Sequence, residues 1–224
     1  MKLPTITLER SLFNSGFSQV VGVDEVGMGC LAGPVVVCAV SFSGDFYKEG
    51  LGGLVGVTDS KLMSSKKREE FYKRLIRDKR VSYSVSVSSP KVIDEINIYQ
   101  ASRVAMRRAI GRTVELKNSL KNISKSSSQK TNSQVMVLVD GNKKIPDLNF
   151  DQEAIVKGDQ KVFAIACASV IAKVYRDKLM ERYAKQFPDY GFEQHKGYST
   201  KIHQEKLNQL GPCPIHRRSF RLEY

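Results

Sequence analysis

Residues 20–40, VVGVDEVGMGCLAGPVVVCAV, set two adjacent acids and three glycines between two runs of valine. Val20, Val21 and Val23 suit a strand buried on both faces, and Val35, Val36, Val37 and Val40 suit a second. A chain with two such strands must cover both sides of a sheet, which selects an α/β architecture. Gly27, Gly29, Gly33 and Pro34 permit a tight turn and a close approach of backbone to a ligand. Successive strand side chains point to opposite faces, so Asp24 and Glu25 are expected where the first strand runs out and the chain can re-aim the second carboxylate. In a solvated turn an acidic dipeptide needs no explanation. Between buried strands and a glycine loop it is costly to keep unless it binds a cation.

The rest of the chain supplies the covering layers. Leu8, Leu12 and Phe13 predict a short helix under the first strand, and the glycine-rich stretch that holds Asp59, Ser60 and Lys61 predicts a loop. Ser64 or Ser65 is a candidate N-cap for a surface helix carrying Phe71, Tyr72, Leu75 and Ile76 at helical spacing. Residues 81–87, VSYSVSV, alternate apolar and serine, which predicts a strand at or near the sheet edge with its serine face in water. A helix is expected from about Lys91 to Leu116, with Val92, Ile93, Ile96, Val104, Ala105 and Ile110 inward and Arg103, Arg107, Arg108 and Arg112 outward. Residues 119–134, rich in serine and lysine, read as a flexible insert and not as a linker between domains. Val135–Val139 predicts a buried strand ending in Asp140 and Gly141, and Ala154–Val156 a short one ending in Lys157, Gly158 and Asp159. Residues 161–186 predict a long helix whose small side chains allow close packing on the sheet. The division expected is a catalytic domain over 1–186 and a small helical extension over 187–224 in the same structural unit.

Asp24, Glu25, Asp140 and Asp159 each follow an apolar strand and lie beside or close to a glycine. Strands laid side by side would gather the four carboxylates at one edge, where their mutual repulsion calls for cations. Oxygen donors with open positions suit Mg2+ or Mn2+ and disfavour zinc. The formal charge of +13 suggests a polyanionic partner, and a carboxylate-bound metal pair in a basic protein suggests phosphodiester chemistry. Metal-free ribonuclease chemistry would need a histidine pair, yet His195, His203 and His216 all lie far along the chain from the acids. Cys30, Cys38, Cys167 and Cys213 show no metal-ligand spacing; Cys38 and Cys167 are expected as small core residues, without disulfides. With no bilayer-length apolar run and no apolar core to a signal peptide, a cytoplasmic protein is expected, and with no apparent oligomerisation signal, a monomer.

Six stretches in order closely resemble the type 2 ribonucleases H, the bacterial ribonuclease HII family in particular. They are VGVDEVGMGCLAGPVV, TDSKLMSSKKREEFY, INIYQASRVAMRRAI, LVDGN, IVKGDQKVFAIACASVIAKVYRD, and HKGYSTKIH through GPCPIHRRSF. The resemblance implies an RNase H-like fold, a mixed five-stranded sheet flanked by helices with a small helical C-terminal part. It implies hydrolysis of the RNA strand of RNA/DNA hybrids and cutting at ribonucleotides embedded in duplex DNA, leaving 3'-hydroxyl and 5'-phosphate ends. It further implies two metal ions, Mg2+ or Mn2+, on Asp24, Glu25, Asp140 and Asp159, with substrate contacts from Gly27, Met28, Gly29, Lys61 and Tyr198. The family usually has Gly-Arg-Gly and then proline where this chain has Gly27, Met28, Gly29 and Cys30. A methionine cannot make the charged hydrogen bonds of a guanidinium, so the contact at the RNA-DNA junction is expected to differ. The related ribonucleases HIII also lack that arginine, but typically carry an additional N-terminal domain for which the roughly 20 residues before Asp24 leave too little chain.

Overall fold

The computed structural model describes residues 3–57, 60, 63–123 and 134–220. Lys61 lies outside the described residues, as does most of the expected insert, 124–133.

A five-stranded sheet has the order β3-β2-β1-β4-β5, formed by β1 (Gln19–Val26), β2 (Val35–Phe42), β3 (Val81–Ser88), β4 (Val135–Asp140) and β5 (Asp151–Ile155). β1, β2 and β3 pair antiparallel, whereas β4 and β5 run parallel to β1, so the sheet is mixed, as the resemblance implied. The valine runs occupy its centre: every residue of β2 is buried, and in β1 only Glu25 is half-exposed.

One face carries α6 (Phe163–Gln186). Its first turns lie so close to β1 that a side chain on Gly22 would meet the backbone nitrogen of Ile165 at 2.6 Å. Only small residues such as Ala164 and Ala168 let a helix backbone come that near. Phe42, Phe46, Phe71 and Phe163 fill the same side of the core, where α2 (Gly44–Glu49) and α3 (Ser65–Arg77) complete the cover. The Ser64 hydroxyl accepts from the Lys67 N–H and caps α3, and α1 (Thr7–Asn14) lays Leu8, Leu12 and Phe13 on Val20, Leu138 and Ile165.

The other face carries a long helix, α5 (Ile98–Ile123), and three expectations need correction. The helix expected over 91–116 is two, α4 (Pro90–Ile96) and α5 (Ile98–Ile123). Asn97, at φ 63°, ends the first, and its side-chain oxygen accepts from the Gln100 N–H to start the second. The break leaves Ile96 exposed, not buried, and Val104 half-buried, and α5 continues into what was expected to be a loop from residue 119. Arg103 and Arg107 are half-buried, while Arg108 and Arg112 face outward.

The second correction concerns the serine face of β3, which does not meet water. Ser84, Ser86 and Ser88 are buried, with the Ser88 hydroxyl donating to the Ala101 carbonyl of α5 at 2.9 Å. Serine is small enough to let α5 lie across the strand, and the bond satisfies a hydroxyl that burial would otherwise penalise. The apolar side chains Val81, Tyr83, Val85 and Val87 are partly buried on the opposite face, and β3 is the edge strand expected. The third is β5, whose bounds are 151–155; Val156 lies beyond it and is exposed.

Residues from Pro188 add α7 (Phe192–His195) and α8 (Lys201–Leu210), which with Met180 and Ala184 of α6 enclose a small core around Tyr190, Phe192, Cys213 and Ile215. All four cysteines are buried free thiols.

Candidate active site and nucleic-acid interface

Two of the carboxylates sit where the parallel pairing of β1 with β4 runs out. Val23 and Val139 are the last paired residues, so Asp24 and Asp140 follow side by side, one strand spacing apart, on the face turned toward α6. β1 does not stop at Asp24 as expected. β2 holds it in the ladder through Glu25 and Val26, paired with Val37 and Val36, so alternation starts the Glu25 side chain on the opposite face from Asp24, although its charge still acts on the Asp24 carboxyl.

Each of these groups is held by its neighbours. Asp140 Oδ1 accepts from the Gly158 N–H at 2.7 Å, which ties the end of β4 to the turn that carries Asp159. Gly158 has to be glycine, because a side chain there would meet Ile165 Cδ1 at 2.6 Å and Asp140 Oδ1 at 3.2 Å. Asp24 Oδ1 accepts from the Glu25 N–H at 2.7 Å. The Ser169 hydroxyl of α6 lies beside the Asp24 carboxyl, where it favours the ionised form, and is 2.9 Å from the Ser60 hydroxyl. Ser60, the one described residue of the loop expected around 59–61, is thereby brought close to Asp24.

Asp24 and Asp159 are both buried. Burial first, then the charges of Glu25 and Asp140, hold the Asp24 carboxyl well above the usual carboxylate range. Such a group stays ionised only beside a positive charge. The donors are all oxygen and suit a hard cation, although among the described residues no three acidic, histidine or cysteine side chains converge closely enough to enclose one ion.

Next to the acids the chain turns sharply through Gly27, at φ 98°. The turn is pinned by two arginines, each fully buried. Arg217 donates to the carbonyls of Gly27 at 2.6 Å, Met28 at 2.9 Å and Gly33 at 2.9 Å. Arg176 of α6 donates to those of Pro34 at 3.0 Å, Ala32 at 3.1 Å and Lys196 at 2.9 Å. Gly27 is glycine because the Arg176 guanidinium fills the space a side chain would need, whereas Gly29 is open and exposed. Met28 turns away from the loop and packs, half-buried, against the cluster of Val35, Ile93 and Ala101.

Tyr198 is brought to this loop by a short antiparallel bridge with Cys30, and the N–H groups of Leu31 and Ala32 both donate to the Gly197 carbonyl. Lys173 and Arg176 each place a cationic group 5.6 Å from the Tyr198 ring centroid. The three histidines, distant from the acids in sequence, converge behind Tyr198. His216 Nδ1 accepts from the Cys213 N–H, which puts its proton on Nε2, 3.1 Å from His203 Nε2; His203 then donates from Nδ1 to the Tyr198 carbonyl at 2.8 Å. Their nitrogens are committed to holding the tail, not to catalysis.

Sequence reasoning named Asp24, Glu25, Asp140, Asp159, Gly27, Met28, Gly29 and Tyr198, and missed Ser169, Gly158, Arg176 and Arg217. Ser169 and Arg176 stand two turns apart on α6, a spacing that puts them on one helix face but does not by itself distinguish a buried arginine from a surface one.

Comparison with known proteins bears on this arrangement. The family model for Ribonuclease HII matches residues 21–223. Ribonuclease HII of Endomicrobium trichonymphae is 43% identical over 214 residues, covering 96% of this chain and 90% of that one. Ribonuclease HII of Caldicellulosiruptor bescii is 44% identical over 213 residues, covering 95% and 91%. Among solved structures, the PCNA:RNase HII complex from Archaeoglobus fulgidus is similar with a TM-score of 0.66 at 28% identity, covering 92% of this chain and 96% of that one. A ribonuclease HIII structure from Bst at 18% identity and a TM-score of 0.65, covering 92% of this chain and 68% of that one, shares the fold alone. This chain therefore belongs to the ribonuclease HII family and is a ribonuclease H, a nuclease with an RNase H-like fold.

Proposed function

We propose that the protein hydrolyses the RNA strand of RNA/DNA hybrids and also cuts at single ribonucleotides embedded in duplex DNA, with water as nucleophile and with 3'-hydroxyl and 5'-phosphate products. The observation that carries this reading is the adjacency of two unlike surfaces. Asp24 and Asp140, side by side just past the last residues paired between β1 and β4, adjoin a glycine turn tied to Tyr198.

Asp24, Glu25, Asp140 and Asp159 are the residues that would hold two Mg2+ or Mn2+ ions. Bound there, the ions would supply positive charge for the phosphate and for the leaving oxygen. The chain does the rest. Ser169 and the Gly158 N–H orient the Asp24 and Asp140 carboxylates. The exposed backbone around Gly29 lets a ribose approach closely, and the Tyr198 ring packs on the sugar at the junction. Lys61 completes the substrate contacts in this reading, and Met28 supports them from behind as the apolar anchor of the loop. Residues 187–224 act as the substrate-contacting part of the same unit as residues 1–186, and the enzyme works as a monomer in the cytoplasm. Among the described residues no helix is long and apolar enough to cross a membrane.

The test is cleavage of duplex DNA containing one ribonucleotide, beside a long RNA/DNA hybrid, with Mg2+ or Mn2+ and with EDTA. Metal-dependent cutting of both is expected. No product on either would sink the reading, and cutting of the hybrid alone would restrict it to runs of ribonucleotides.

A further inference from the structure

We infer that Arg176 is the positioning residue that sets the spacing between the glycine turn and Tyr198, and with it the enzyme's discrimination at the ribose. The inference rests on the proposed ribose-reading role of that turn and that tyrosine. Arg176 is fully buried, and its three hydrogen bonds go to backbone carbonyls drawn from both the glycine turn and the segment before Tyr198. Pro34 and Ala32 lie on the far limb of the glycine turn; Lys196 lies two residues before Tyr198. The same guanidinium fills the space beside Gly27 and stands 5.6 Å from the Tyr198 ring centroid. One planar group thus touches the start of the turn, its end, and the segment that presents the tyrosine.

A structural staple alone could be built from any donors in reach. Arg176, however, is carried by the helix that also places Ser169 against Asp24, two turns earlier. The spacing of ribose-reading groups is therefore referred to the same rigid element as the carboxylate that would hold a metal ion. A lysine could keep the charge but not the fork of donors that reaches three carbonyls at once.

The experiment is a double-mutant cycle of Arg176→Lys and Tyr198→Ala, with kcat and KM measured on duplex DNA containing one ribonucleotide in Mg2+, and thermal melting as the check on folding. If Arg176→Lys does not fold, Arg176→Gln takes its place, because it buries no charge and keeps two N–H donors. The folded variant is expected to lose on the order of 100-fold in kcat/KM, as small misplacements do in active sites, and to add nothing to the loss caused by Tyr198→Ala. In a chain with no tryptophan, Tyr198→Trp provides a single indole whose emission is expected to shift when Arg176 is replaced. A folded Arg176 variant with undiminished kcat/KM, losses that multiply in the double variant, or an unmoved emission would overturn the inference. Full activity in Tyr198→Ala would instead overturn the ribose-reading role on which it rests.

Discussion

Gly158 donates its backbone N–H to Asp140 Oδ1 at 2.7 Å, and the same glycine leaves no room for a side chain beside that oxygen. Gly158→Ala is therefore expected to shift Asp140 while leaving the sheet intact. Cleavage should fall by about tenfold or more, with a much smaller change in melting temperature. Equal, proportionate losses of stability and activity would show that the glycine serves packing alone.

Asp24→Asn tests the same wall from the other strand. It removes a buried charge that burial, Glu25 and Asp140 all oppose, so the metal-free protein should melt at a higher temperature than the parent. Metal-dependent cleavage should meanwhile fall by about 1000-fold or more, with substrate binding in EDTA largely kept. A variant both less stable and fully active would contradict the assignment on each count.

Glu9 of α1 is buried, accepts from the Ala164 N–H at 3.0 Å at the start of α6, and has its pKa raised to about 7 by that burial. A carboxyl that ionises more readily in the unfolded chain loses stability as pH rises from about 4.5 toward 7. Glu9→Gln keeps the acceptor and removes the charge, so its advantage over the parent in urea unfolding should grow between pH 5 and 8. A difference independent of pH would remove Glu9 as the cause.

The histidine relay acts at the opposite end of the scale. Burial lowers the pKa of both His203 and His216 to about 4, below the ordinary histidine value of 6.5. The neutral forms are the folded ones, so their contribution is complete above pH 6.5 and is lost as pH falls toward 4. The tail around Tyr198 should thus open in mild acid before the sheet does. Hydrogen exchange at Gly197 and Tyr198, followed from pH 7 to 4.5, would check this; protection unchanged over that range would refute it.

Much of this architecture is legible in the residues because it rests on short-range rules. The valine runs, the capping Ser64 and the small residues of α6 each declare their place through burial or local hydrogen bonding. The serine face of β3 misled because alternation reports two unlike faces without saying which one a helix will cover. Asn97 misled because apolar spacing continues across a left-handed residue that breaks the helix. Asp140 was found as a strand end and Asp24 by its place after a valine run, although β1 continues past it to Val26, whereas Arg176 and Arg217 were not found. Their partners are backbone carbonyls far away in the chain, and no side-chain pattern marks those.

The bond from Arg217 to the Gly27 carbonyl spans 190 residues, close to the longest loop this chain can close. Closing it carries a large entropic cost that must be met before any contact there rewards it. The hairpin of β1 and β2 forms from neighbouring segments and needs no such closure. During folding, then, β1 and β2 can pair around Asp24 while the glycine turn is still unpinned, and the surface proposed to read the ribose is complete only once the two ends of the chain have met.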